Sequence, residues 1–133
     1  MTMDRLYNVA VLAADSIVAQ MIAAAIESAQ CRAITLIDEQ DLFTHLAKQH
    51  IDLTILATTY PFVADSLIEH KVRHIHLSGS RLFVLMRRYD EYHVMRLLGA
   101  GVEQCMTFPI NLVRLRNKVY TTLRRYENHT TQW

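Results

Sequence analysis

Tyr7-Asn8-Val9-Ala10-Val11-Leu12, followed by Ala13-Ala14 and then Asp15-Ser16, is a near-continuous apolar β run that ends in two small residues and two capping oxygens. A strand with one wet face alternates apolar and polar residues; a run that barely alternates fits a strand covered on both faces, as in a parallel sheet. Directly after it, Val18, Ile22, Ala25 and Ile26 recur at i, i+4, i+7 and i+8, the inward stripe of an amphipathic helix. Asp15 and Ser16 carry the oxygens that satisfy the free N–H groups of a helix start. The stretch therefore predicts a buried strand leading straight into a helix.

The same unit recurs down the chain. Ala33 to Ile37 predicts a second strand, and Asp38-Glu39-Gln40-Asp41 opens a short helix with Leu42, His45 and Leu46 inward. Acidic residues in that first turn suit the positive end of the helix dipole. Ile51 to Leu56 is a third buried strand, and Pro61 suits the first turn of a third helix that buries Phe62, Leu67 and Val72. Leu82 to Met86 predicts the fourth strand, and Tyr89 to Leu98 a fourth helix stopped by Gly99-Ala100-Gly101. Gln104 to Thr107 is a short fifth strand. Ile110 to about Tyr126 is the last helix, with Leu112, Leu115, Val119 and Leu123 on one stripe. Strict alternation implies parallel strands, right-handed crossovers and helices on both faces. The predicted class is α/β, a doubly wound five-stranded sheet with five helices, for which the flavodoxin-like order 2-1-3-4-5 is one of two common solutions. Residues 1–126 form one domain in this reading. Residues 127–133 read as a polar tail, either a frayed end or the start of a linker.

At 133 residues, with 51% hydrophobic and 20% charged, the chain can bury a core and is no disordered tract. Three Gly and two Pro are too few for a turn-rich β architecture. A net charge of +1 provides no global attraction to nucleic acid or to an anionic membrane. Met1-Thr2-Met3-Asp4-Arg5 lacks the pattern of a secretory signal, and the apolar stretch Ile17 to Ile26 is too short to span a bilayer, so a cytoplasmic location is expected. In the predicted strand order Cys31 and Cys105 fall on opposite edges of the sheet, too far apart for a disulfide, and read as reduced packing residues.

These landmarks make residues 7 to 125 resemble the receiver domains of response regulators, and they also mark where the chemistry of that family is missing. The resemblance implies an acidic, Mg²⁺-binding pair where Ala13-Ala14 stand and a phospho-accepting Asp where Ala57 stands. It implies a small hydroxyl residue at Arg87 or Arg88, and a Lys-Pro, commonly cis, at Phe108-Pro109. Cys105 occupies the place of the family's switch aromatic. Mg²⁺ needs carboxylate oxygens, and a methyl group cannot attack phosphorus. Asp15 would join an acidic pair only if the alignment slipped by one residue, which the phase of Val18, Ile22 and Ile26 opposes; it reads as a helix cap. Thr58 and Thr59 lack a base and a metal to activate them. Phe108 is expected to turn its ring into the vacated pocket, beside Ala57 and Ala14, and close it.

Two further constellations carry charge or metal-binding side chains. His70 and His74 lie one helical turn apart, with His76, Lys71 and Arg73 nearby; no carboxylate or thiol completes a metal shell, so the stretch reads as an exposed basic helix end. Arg114, Arg116, Lys118, Arg124 and Arg125 make the last helix basic on its outer face, without the partners of a DNA-reading element. Receivers commonly pair through helix four, strand five and helix five. That face would present Tyr92, Met95 and Arg96 with Arg114, Lys118 and Arg125, against acidic Asp90, Glu91 and Glu103. Mixed signs with exposed Tyr and Met suit an isologous homodimer. No phosphate loop, nucleophile elbow or zinc spacing supports an enzyme, and no cofactor or metal is expected. The sequence thus predicts a phosphorylation-independent, receiver-like module of signal transduction or transcription control that binds protein partners, either alone or as the N-terminal domain of a longer regulator with an output domain past Trp133. The alternative is a flavodoxin-like domain that takes a small ligand or nucleotide at a mouth formed by Ala13, Asp15, Ala57, Arg87 and Phe108.

Overall fold

A computed structural model of the chain describes residues 6–57, 66–87 and 91–131, with side chains left out of account at 66–69 and 126–131. The described elements are β1 (Tyr7–Ala13), α1 (Ser16–Ile26), β2 (Cys31–Leu36), α2 (Glu39–Lys48), β3 (Leu53–Ala57), α3 (Ser66–Leu77), β4 (Arg81–Met86), α4 (Glu91–Gly99), β5 (Gln104–Thr107) and α5 (Leu112–Thr131). All five strands are parallel, in the order β2-β1-β3-β4-β5. The doubly wound order expected from the alternation is therefore the one observed.

The pleat divides the core into two layers. Tyr7, Val9, Val11 and Ala13 of β1 point with Phe83 and Leu85 of β4 toward Ala19, Ile22 and Ile26 of α1 and Leu115, Val119 and Leu123 of α5. On the other face Ala10, Leu82, Val84 and Met86 meet Leu42 of α2, Val72 and Ile75 of α3, and Val94 and Leu97 of α4. Successive side chains of a strand face opposite ways, so a strand between two helical layers must be apolar at every position. That is why Phe83, Val84 and Leu85 are all without solvent exposure. One polar pair is enclosed in the core: Thr54 Oγ1 and Ser80 Oγ lie 2.9 Å apart, each satisfying the other.

Local signals explain the element boundaries. Asp15 caps α1, its Oδ1 accepting from the Ile17 amide at 2.8 Å, and Asp38 Oδ1 does the same for the Asp41 amide of α2 at 2.8 Å. After α4 the amides of Val102 and Gly101 donate to the carbonyls of Leu97 and Leu98, a Schellman closure that needs a left-handed residue at Gly101, with φ at 116°.

Some sequence expectations shift. His45 is not an inward residue: it stays part-exposed, with Nδ1 3.3 Å from the Asp41 carboxylate. In α1 the burial falls on Ala19 and Ala23 beside Ile22 and Ile26, and Ala25 is only half-buried. The α3 stripe is carried by Val72 and Ile75; the expected positions of Pro61 and Phe62, and the Leu67 side chain, lie outside the described residues. Helix α5 continues to Thr131, through most of the stretch read as a tail.

Cys31 begins one edge strand and Cys105 lies in the other, and both are free thiols. Burial, aided by the carboxylates of Asp52 and Glu27, pushes Cys31 up to about 11, and burial alone pushes Cys105 up to about 11. Thiolate is the reactive form. Native protein at pH 8 should therefore react with iodoacetamide about a hundredfold more slowly than the urea-unfolded chain, since two pH units separate these thiols from the ordinary value of 9.0. The unfolded thiols ionise first on alkaline titration, so stability should fall as pH rises from 9 toward 11. Equal labelling rates in the two states would contradict the burial of both groups.

Candidate functional site at the carboxyl ends of the strands

Strands β1 and β3 end side by side, with Ala13 paired in register to Ala57, and Ala57 paired on its other side to Leu85 of β4. Ala13 and Ala57 are each only 7% exposed, so their methyl groups form a floor. Ala14 and Asp15 follow β1 at the rim, both exposed. Arg87 follows Met86, the last residue of β4, and is exposed. Phe108 follows β5, its amide donating to the Met86 carbonyl at 2.9 Å, and its peptide bond to Pro109 is cis.

Together Ala13, Ala14, Asp15, Val18, Ala57, Arg87 and Phe108 line a cavity of about 210 Å³. The five mouth residues chosen from the sequence thus come together around one space, and Val18, read as a core residue of the first helix, joins them. One expectation is corrected: Phe108 does not plug the space. Half-buried against the core layer that includes Ala13 and Ala57, it borders the space beside Ala14 and Ala57 and leaves the cavity open. Arg88, Thr58 and Thr59 lie outside the described residues.

The donor set is unsuited to a divalent cation or a phosphoryl group. A hard cation requires several oxygen ligands in a near-octahedral shell. Here the floor is aliphatic, and Asp15, the one carboxylate among the described residues of the lining, already commits Oδ1 to the α1 cap. Ala57 has no atom able to accept phosphorus. Among the described residues no cluster of three His, Cys, Asp or Glu is placed to hold a metal ion. On α3, His74 stacks on Phe43 with ring centroids 4.4 Å apart, a packing role, while His70 is exposed.

A second surface is formed by α4, β5 and α5. Tyr92 and Met95 are 61% and 65% exposed on α4, and Arg96 lies over the Tyr92 ring at 5.5 Å while its Nη1 donates to the Tyr92 hydroxyl at 3.2 Å. Arg114 and Lys118 line a groove of about 320 Å³ between β5 and α5. Glu103, expected on this face, is paired within the chain. Arg125 Nη2 donates to its Oε2 at 3.1 Å, and Arg81 approaches its Oε1 at 3.9 Å. Leu98 and Val113, both substantially exposed, add apolar surface that helical periodicity did not single out. Asp90 lies outside the described residues, and Glu91 is exposed at the start of α4.

No family model matches the sequence, and no curated protein matches it either. Solved structures do. A response regulator from Thermotoga maritima superposes with a TM-score of 0.79 at 21% identity, over 90% of this chain and 98% of that one. The signal receiver domain of an HD domain-containing protein from Pseudomonas fluorescens Pf-5 reaches 0.80 at 15% identity, over 100% and 98%. The chain has the receiver fold. A CheY-like receiver domain protein from Methanospirillum hungatei JF-1 extends the likeness, with a TM-score of 0.78 at 13% identity over 93% of this chain and 98% of that one. Superposition at such identities describes the backbone path of a receiver and leaves the site to be read from this chain's own residues. Among the described residues no helix is long and apolar enough to cross a membrane.

Proposed function

We propose that this chain is a receiver-like regulatory module of signal transduction or transcription control that works through protein contacts, without aspartyl phosphorylation and without catalysing a reaction. The observation that supports the reading is that Ala13, Ala14, Ala57 and Phe108, standing where the resemblance calls for the acidic pair, the phospho-acceptor and the Lys, border one cavity in a receiver fold. Losing one of these groups would weaken phosphoryl chemistry; losing nucleophile, metal ligands and ammonium together removes each of its components. Incubation with acetyl phosphate and Mg²⁺ should leave the intact mass unchanged, and beryllofluoride with Mg²⁺ should leave the melting temperature unchanged. A phosphoryl mass shift would defeat the proposal.

For the partner surface we assign the α4–β5–α5 face, with Tyr92, Met95, Arg96, Arg114 and Lys118 as contact residues and a second copy of the chain as one partner. Exposed aromatic and thioether groups beside Arg are the composition of interface cores, and Tyr92 and Met95 are the most exposed large hydrophobics of α4. Glu103 and Arg125, already paired with each other, would stiffen this face rather than bridge across it. In an isologous interface each substitution acts twice. Arg96→Glu or Arg114→Glu should therefore weaken dimerisation by about tenfold or more in sedimentation equilibrium. A monomer at every accessible concentration would refute this assignment.

A further inference from the structure

We propose that the cavity at the strand ends binds a single-ring aromatic carboxylate, its ring among the apolar walls and its carboxylate at Arg87. The inference deepens the reading of this mouth as one freed from phosphorylation, and rests on it. Val18, Ala13, Ala57 and Phe108 bound a space whose surfaces are aliphatic or aromatic, which favours an apolar body over a hydrated ion. Size narrows the class. The space, about 210 Å³, exceeds the cavity of about 150 Å³ known to hold benzene and falls below the roughly 300–1,000 Å³ of sites for drug-sized ligands. One ring with a small substituent fits; a nucleotide does not fit within it.

Charge decides the substituent. Among the described residues, the charged side chains of the lining are Asp15 and Arg87. Asp15 is turned toward the start of α1, where the Ile17 amide holds its Oδ1 at 2.8 Å. Arg87, exposed at the opposite rim on the end of β4, presents a planar fork of donors that a carboxylate matches in bidentate fashion. An amphiphile with an anionic end satisfies both the floor and this rim. A cationic end at Asp15 would compete with the Ile17 amide for its carboxylate and would meet Arg87 in repulsion.

Calorimetric titration of the full chain with benzoate, benzyl alcohol, benzylammonium, inorganic phosphate and AMP tests this. Benzoate should bind saturably and more tightly than benzyl alcohol, while benzylammonium, phosphate and AMP should give no saturable heat. Arg87→Gln should weaken benzoate about fivefold, the upper weight of one ion pair at an exposed rim, and leave benzyl alcohol as it was. Ala14→Phe, placed at an exposed position so that the fold tolerates it, should roof the cavity and abolish binding of both. Absence of saturable benzoate binding, benzylammonium binding as well as benzoate, or indifference of benzoate to Arg87→Gln overturns the proposal. Its failure is separable from that of the functional reading, because phosphoryl labelling is read by mass in the absence of any aromatic acid.

Discussion

Ala57→Asp is expected to destabilise the protein by about 2–5 kcal/mol at pH 8 and still to leave it unlabelled by acetyl phosphate with Mg²⁺. The substitution restores the side chain that receivers use, but it does so in a place stripped of everything that made a carboxylate tolerable there. Ala57 is 7% exposed, between Ala13 and Leu85 in the sheet. The new carboxyl would find no metal and no ammonium, since Ala13, Ala14 and Phe108 supply neither. Arg87 is exposed, and a solvated guanidinium offsets little of a desolvation cost. Burial raises a carboxyl's pKa in the folded state above its unfolded value of about 3.9. The ionisation part of the penalty is therefore absent below about pH 3.9, where the cost of burying a neutral carboxyl remains; it grows by roughly 1.4 kcal/mol per pH unit above that and levels off past the folded pKa. Urea denaturation of parent and variant at pH 4 and pH 8 would show the gap widening with pH. A variant as stable as its parent at pH 8 would mean that the strand ends are wet, and the apolar account of the mouth would fall.

The fold was legible because burying a sheet on both faces leaves a mark in sequence. Runs such as Phe83-Val84-Leu85 are apolar at every position because helices cover each side, and a parallel α/β architecture repeats such buried runs in its central strands, here β1, β3 and β4. The convergence of Ala13, Ala14, Ala57 and Phe108 on one mouth was equally legible, since parallel strands bring their carboxyl ends together. Quantities set by three-dimensional placement were hidden. In α1 the abundance of Ala blurs the contrast between faces, so the stripe was misplaced by a residue, with Ala19 and Ala23 buried instead of Ala25. The Glu103–Arg125 pair joins residues 22 apart across a turn, which no local pattern reveals. His45 looked apolar-facing by its spacing, yet a local carboxylate holds it part-exposed. Periodicity puts Phe108 at the mouth but says nothing of where its ring turns. That direction separates a plugged site from an open cavity.

Phe83→Ala should cost about 3–5 kcal/mol, a large part of the roughly 5–15 kcal/mol that holds a domain of this size together. Phe83 has no solvent exposure and sits in the middle of β4, paired with Ile55 of β3 and Gln104 of β5, against the α1/α5 layer. Removing its ring would leave a void that a sheet fixed by backbone pairing cannot close. Phe108→Ala should cost only about 1–2 kcal/mol, because a half-buried ring whose other side faces an open cavity has fewer contacts to lose. Parallel urea titrations of the two variants decide the matter. The expected inequality has a functional meaning: if stability resides in the middle of the sheet, the strand ends are free to change their chemistry without endangering the fold. That independence allows a receiver scaffold to lose its acidic pair, its acceptor and its Lys while keeping its path. Should Phe108→Ala prove as damaging as Phe83→Ala, the mouth would be part of the structural core, and its apolar residues would be explained by packing alone.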